Sequence, residues 1–305
     1  MSVWSNRCKY SHAEGMIIFN HCYKLRNLIL AAFLTIGFAS PVLAQQHALF
    51  VDLNSKEATD LGTLGGNFST AHGINDAGQV IGTSSTASGQ RHAFMTGPDG
   101  TGMTDLGTLG GDESDAFGIN DAGQVVGWST TAVMGPAHAF ITGPNGLGMT
   151  DLGSLGGDYS GARGINEVGQ VIGDSRTASG QYHAFITGPD GGMTDLGTLG
   201  GSNSGAFGIN DAGQVVGNSD TDTSLFLPFV TGPDGAGMTE LASLVNPPPG
   251  FTDFSYAGAI NNHGQLAAVA VVPEPEMYAM LLLGLGLISF LARGRATHSR
   301  LPSQA

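Results

Sequence analysis

GINDAGQVIG, Gly73 to Gly82, returns as Gly118–Gly127, as Gly164–Gly173 with Glu167 and Val168 substituted, and as Gly208–Gly217; a worn copy, AINNHGQLAA, runs from Ala259 to Ala268. A period near 45 residues marks a repeat architecture, in which one supersecondary unit stacks on the next. Within the first copy, Asn75-Asp76-Ala77-Gly78 suits a type I turn closed by a left-handed glycine. The flanking residues therefore pair as a hairpin, with Ala71–Asn75 leading in and Gln79–Ser84 returning.

Working outward, Arg91–Thr96 reads as a third strand, and Gly97-Pro98-Asp99-Gly100 as a second turn. Pro98 sets φ for its first position and Gly100 is free to take positive φ. Met103–Leu106 is the fourth strand, and Leu106-Gly107-Thr108-Leu109-Gly110-Gly111 links to the next unit. No stretch of the repeats has an apolar period of 3.6 residues over a helix length. Four antiparallel strands in about 45 residues is the size of a β-propeller blade. Strands such as Gln124-Val125-Val126-Gly127 lack clean alternation, as expected of sheets covered on both faces, and Gly and Ala permit close approach near the axis.

Each signature occurs five times. Asp-Leu or Glu-Leu motifs start at residues 60, 105, 151, 195 and 240; hairpins at Asn75, Asn120, Asn166, Asn210 and Asn261; His-Ala-Phe-like strands at 47, 92, 138, 183 and 227. The repeats nevertheless open on a third strand and end on a second. The fold predicted is all-β: a propeller of about five four-stranded blades, in which His47–Leu53 and Ala58–Leu61 share one blade with Tyr256–Asn261 and Gln265–Val271. Such a ring removes both open edges. The fifth unit carries an insertion with Pro247-Pro248-Pro249-Gly250, a stiff exposed loop.

Both ends of the chain differ from the repeats. Residues 1–44 read as a helical secretory signal: Lys24 and Arg26, an apolar run from Leu28 to Phe38, then Val42-Leu43-Ala44, with cleavage between Ala44 and Gln45. Met16 is a second candidate start. The only cysteines, Cys8 and Cys22, precede the cut, so residues 45–271 fold without disulfides. Residues 272–296 hold Val272-Pro273-Glu274-Pro275-Glu276, an apolar run from Met277 to Ala292 read as a transmembrane helix, and then Arg293 and Arg295; residues 297–305 are a short tail.

The formal net charge is −14, which excludes the basic footprint of a nucleic-acid binder. Pro273-Glu274-Pro275, the apolar run and Arg293/Arg295 together resemble the PEP-CTERM sorting signal of Gram-negative bacteria. That resemblance implies recognition by a membrane exosortase and a link with exopolysaccharide and biofilm. Residues 47–271 resemble the HAF family of extracellular repeats, named for His-Ala-Phe, a family that brings no catalytic residues to transfer.

Three sets of side chains are candidate sites. Asp76, Asp121, Glu167 and Asp211 offer Ca²⁺ one hard oxygen ligand per turn, fewer carboxylates than a good Ca²⁺ loop supplies. His92, His138 and His183 recur at the repeat period, as metal ligands only if they line one channel and otherwise as structural groups. Asp60, Asp105, Asp151 and Asp195 sit at strand ends, where an aspartate commonly binds backbone. No acidic pair breaks the repeat symmetry as a catalytic pair needs, and neither a nucleophile motif nor a phosphate loop is visible. No cofactor is expected. The function expected is a non-enzymatic exported cell-surface protein with an adhesive or exopolysaccharide-matrix role. A carbohydrate-binding module using Trp128, Tyr159, Tyr182 and Phe226 is the alternative, and a propeller hydrolase a further one.

Overall fold

The computed structural model of the protein describes residues 45–188, 191–273 and 280–289. The proposed signal with its Ala44 cut, both cysteines, Glu274, Pro275, Arg293 and Arg295 lie outside the described residues; Gln45 and Pro273 lie within them.

The repeats fold as antiparallel strands in chain order. β1 (Leu49–Asp52) and β2 (Glu57–Asp60) form a two-stranded sheet. Four complete blades follow: β3 (Gly65–Ile74), β4 (Val80–Thr86), β5 (Arg91–Thr96) and β6 (Met103–Asp105); β7 (Ser114–Ile119), β8 (Val125–Thr130), β9 (Ala137–Thr142) and β10 (Met149–Asp151); β11 (Gly156–Ile165), β12 (Val171–Thr177), β13 (Tyr182–Thr187) and β14 (Met193–Asp195); β15 (Gly200–Ile209), β16 (Val215–Thr221), β17 (Phe226–Thr231) and β18 (Met238–Glu240). A final pair, β19 (Asp253–Ile260) and β20 (Leu266–Val271), stands alone.

Local turn chemistry drives these hairpins. Gly78 takes φ +70° and its N–H donates to the Asn75 carbonyl at 3.0 Å, as the type I turn requires. In the second turn Gly100 takes φ +69°, and Asp99 precedes it at φ +54°. Asp and Asn tolerate that region, and Asn145 and Asp234 repeat the feature at +56° and +52°. The Gly100 N–H donates to the Gly78 carbonyl at 3.0 Å, so the two turns of a blade dock on each other. First strands run longer than the sequence predicts, because Gly65 already pairs with Thr86.

The core lies between successive sheets. Ile81, Ala93 and Met95 of one blade meet Ala116, Val125 and Phe140 of the next. Val126 and Ala139 meet Ala162, Val171 and Phe185 in the same way. Val125 and Val126 thus serve opposite faces, which explains the unbroken apolar runs. Buried serines satisfy the backbone at these interfaces: Ser114 Oγ accepts the Ala93 N–H at 2.8 Å and donates to the Gly107 carbonyl at 2.6 Å.

The closed five-bladed ring is not what the structure shows. Among the described residues no strand pairing joins β1 or β2 to β19 or β20. Ala116, Ala162, Ala206 and Ala257 are fully buried, whereas Ala71, at the same repeat position, is exposed. Each half blade spends its apolar face on its own neighbour. Ala48 and Leu61 pack on Val80 and Phe94, with a bridge from Gln46 to Phe68; β19 is tied to β16 by Asn218 Nδ2 donating to the Ser255 carbonyl at 2.9 Å. The expected transmembrane helix, Met277–Ala292, is not supported, and residues 277–279 and 290–292 of it lie outside the described residues. Residues 280–289 are helical, and no helix among the described residues is long and apolar enough to cross a membrane. The insertion of the fifth unit opens with a single helical turn, Leu241–Leu244, ahead of its prolines.

Candidate binding site along the inner strands

First strands of successive blades lie side by side, from β3 through β7, β11 and β15 to β19. Their turns stack into a ladder. Asn75 Nδ2 donates to the Asn120 carbonyl at 3.1 Å, Asn120 to Asn166 at 3.2 Å, Asn166 to Asn210 at 3.0 Å and Asn210 to Asn261 at 3.1 Å. The acidic residues follow the same path: the Asp76 N–H donates to Asp121 at 3.0 Å, and the Glu167 N–H to Asp211 at 3.0 Å. Of the turn carboxylates proposed for Ca²⁺, those of Asp121, Glu167 and Asp211 are therefore engaged in joining turns. Among the described residues no group of three His, Cys, Asp or Glu side chains is placed to hold a metal.

The recurrent histidines and aspartates prove to be partners. His47, His92, His138 and His183 place Nδ1 at 2.8, 2.9, 2.9 and 2.8 Å from Asp60, Asp105, Asp151 and Asp195. Each aspartate also accepts the N–H two residues on, as Asp105 does from Gly107 at 2.8 Å. The hydrogen bond from His47, with that from the Gly62 N–H, holds the Asp60 carboxyl below its ordinary range. These pairs staple the third strand to the end of the fourth, where the linker to the next blade begins. The signal was available in the constant offset of 12–13 residues between the two motifs.

What does not repeat gathers on the inner strands. His72, Phe117, Arg163 and Phe207 occupy one repeat position; Thr83, Trp128, Asp174 and Asn218 occupy another. The His72 ring stacks on Phe117 with centroids 5.5 Å apart. Its Nδ1 lies 2.8 Å from the Ala116 carbonyl and 3.2 Å from Asp115, which also accepts the Thr83 hydroxyl. Arg163 Nε donates to Asp174 at 2.7 Å, and its guanidinium lies 5.8 Å from the Phe207 ring, itself 5.2 Å from Tyr256. Tyr159 meets Tyr182 edge-on at 5.8 Å, and Arg176 sits 5.1 Å over Tyr182 while donating to Asp158 at 3.0 Å. Burial raises the Tyr159 phenol, and the nearby Asp174 charge adds to the shift.

Of the four aromatics read as candidates, the structure brings Tyr159 and Tyr182 together. Trp128 stands on β8 opposite Asp115, and Phe226, 52% exposed, begins β17 apart from them. Sequence reasoning missed His72, Asp115, Arg163, Phe207 and Tyr256. Their signal is disagreement among copies at fixed repeat positions. Aromatic faces, guanidinium groups and carboxylates in alternation suit reversible stacking and hydrogen bonding. A separate cleft lined by Gln79, Met95, Pro98, Leu106 and Asn145 encloses about 250 Å³, below the ~300–1,000 Å³ of ordinary ligand pockets.

One pH dependence follows from this row. The hydrogen bond to Asp115 raises the His72 pKa, with a further contribution from the Ala116 carbonyl and against the effect of burial. A raised folded-state pKa means that the stabilisation is complete below the unfolded value of about 6.5 and fades as pH rises through the folded value. His72→Asn should therefore lower the thermal midpoint at pH 5 and have a shrinking effect towards pH 8. A deficit that is constant across that range would mean that protonated His72 contributes nothing.

Among curated proteins no relative matches the chain. Among solved structures it is similar to a putative TolB from Agrobacterium tumefaciens, at 13% identity over 72% of this chain and 80% of that one, with a TM-score of 0.49. It is also similar to dipeptidyl peptidase 4 from Porphyromonas gingivalis, at 12% identity over 75% of this chain and 34% of that one, with a TM-score of 0.48. Residues 271–296 match the PEP-CTERM protein-sorting motif, the signal of an exported protein that is recognised by exosortase, a membrane enzyme, and sorted to the cell envelope or surface.

Proposed function

We propose that the chain is a non-enzymatic surface protein of a Gram-negative bacterium, whose HAF-like repeats present a binding face for adhesion or for the exopolysaccharide matrix. The sorting motif at residues 271–296 carries the reading, because it assigns the chain to export and to the envelope. The inner row supports it with reversible-contact chemistry, and the repeat signatures serve as framework: His-Asp staples, the Asn ladder and the buried phenylalanines. Deleting Val272–Ala305 is expected to shift the protein from the cell fraction to the medium. Full retention of the truncated chain on washed cells would defeat the reading.

A second reading, a carbohydrate-binding module, is favoured by the Tyr159–Tyr182 pair under Arg176. Stacking on one aromatic side chain is worth roughly 1–3 kcal/mol for a nucleobase, and that scale is carried over to a sugar face on Tyr182. Tyr182→Ala should thus weaken binding on a polysaccharide array by about tenfold or more. Unchanged binding, or no binding by the wild type, would remove this reading while leaving the sorting role intact.

A further inference from the structure

We propose that the two half blades are mating edges, and that β20 of one copy of this chain pairs with β1 of a second copy to complete a four-stranded blade between them. The halves are complementary by repeat position: β19 and β20 correspond to the first two strands of a blade, β1 and β2 to the last two. In the complete blade Ile81, Gly82 and Thr83 oppose Met95, Phe94 and Ala93. The same register sets Ala267, Ala268 and Val269 of one copy against Phe50, Leu49 and Ala48 of the other.

Both edges are bare and apolar. Leu49 and Val51 are 53% and 55% exposed, Val269 and Val271 53% and 44%. From Leu266 to Val272 there is no charge, proline or bulge-forming glycine of the kind that blunts natural edges. The joint also continues an interface already present in the chain. In the complete blades the inner strands bury the alanine of the next first strand, as at Ala116 and Ala162. At Ala71 that place is empty while β1 and β2 already occupy the outer half of the seat on Val80 and Phe94. A second copy's β19–β20 fits the vacant half.

Within one chain no strand pairing joins the halves among the described residues; each is held to its own neighbouring blade, by Gln46 to Phe68 at one end and by Asn218 to Ser255 and Ala257 at the other. Pairing between copies is head-to-tail, so each addition leaves one new edge at either end, and the assembly grows as a chain or closes as a ring of copies. The partner is chosen by strand chemistry alone: main-chain hydrogen bonds give affinity, and alternate apolar side chains set the register.

The test uses the full chain with Cys8 and Cys22 replaced by serine. Phe50→Cys and Ala267→Cys are made in separately tagged copies and also combined in one chain. Mixed single variants should cross-link tag to tag on oxidation, and the double variant should give a ladder of covalent oligomers. Val269→Lys should abolish the ladder and at least halve the mass by light scattering with its thermal midpoint unchanged; this arm separates edge pairing from association through the apolar 280–289 segment. A double variant that yields only an internally linked monomer would show that the chain closes on itself. That result, the absence of any cross-link, or a Val269→Lys mass equal to the wild type would each overturn the proposal.

Discussion

Gly127→Ala is expected to lower the stability of the repeat body by about 3 kcal/mol, the upper part of the range for forced overpacking. A Cβ at this position falls on the Asp115 carbonyl oxygen, 2.9 Å from the Asp115 carbonyl carbon and 3.0 Å from Ala116 Cα. These are backbone atoms of the paired strand, not the end of a flexible side chain, so relief requires β7 and β8 to separate. Neither strand has room, because Val125, Val126 and Ala116 are fully buried against blades on both sides. Gly82 and Gly173 make the same approach to Thr70 and Gly161. The chain contains its own control: Ala268 holds this repeat position in β20, opposite Ala257. One face of that strand is open, so it can yield. For a body of this size, the loss corresponds to a fall of about 6–12 °C in thermal midpoint. A midpoint within about a degree of wild type would mean that the strand pair is far softer than this packing implies.

How much of this was legible in the sequence follows the range of each interaction. The hairpins were readable because Asn75-Asp76-Ala77-Gly78 and Gly97-Pro98-Asp99-Gly100 encode their turns within four residues. The burial of Phe94, Phe140, Phe185 and Phe229 follows from their place on third strands covered on both faces. Ring closure was not readable. Pairing Phe50 with Ala267 is a contact over more than 200 residues, and repeat counting gives complementarity without saying which copy supplies the partner. The His92–Asp105 staple was missed because each motif was weighed as a site alone, although both drift together: where Leu227 replaces the histidine, Glu240 replaces the aspartate. The inner row failed to appear for the opposite reason. Trp128, Arg163 and Phe207 differ in type, and only their shared place on the inner strands makes them one surface.

The ladder of turn asparagines separates what a repeat motif costs inside the stack from what it costs at its end. Asn120 is 1% exposed. Its Oδ1 accepts the Gln124 N–H at 3.0 Å, and its Nδ2 donates to Gln124 Oε1 at 2.9 Å and to the Asn166 carbonyl at 3.2 Å. Asn120→Ala removes all three bonds and leaves a buried N–H without its acceptor. With about 1–3 kcal/mol for each buried group left unpaired, the expected loss is roughly 3 kcal/mol. Asn120→Asp keeps the acceptor for Gln124 but turns a carboxylate towards two oxygens, Gln124 Oε1 and the Asn166 carbonyl. It should therefore be at least as damaging at pH 7 and recover in part as acid protonates it. Asn261 makes the same bonds to Gln265, at 2.9 and 3.0 Å, but is exposed at the end of the ladder, where water replaces what is lost. Asn261→Ala should cost less than about 1 kcal/mol. Denaturant midpoints of the three variants decide the matter. Equal losses at Asn120 and Asn261 would show that the asparagine serves its own turn only, and that the bonds from blade to blade add nothing to the stack.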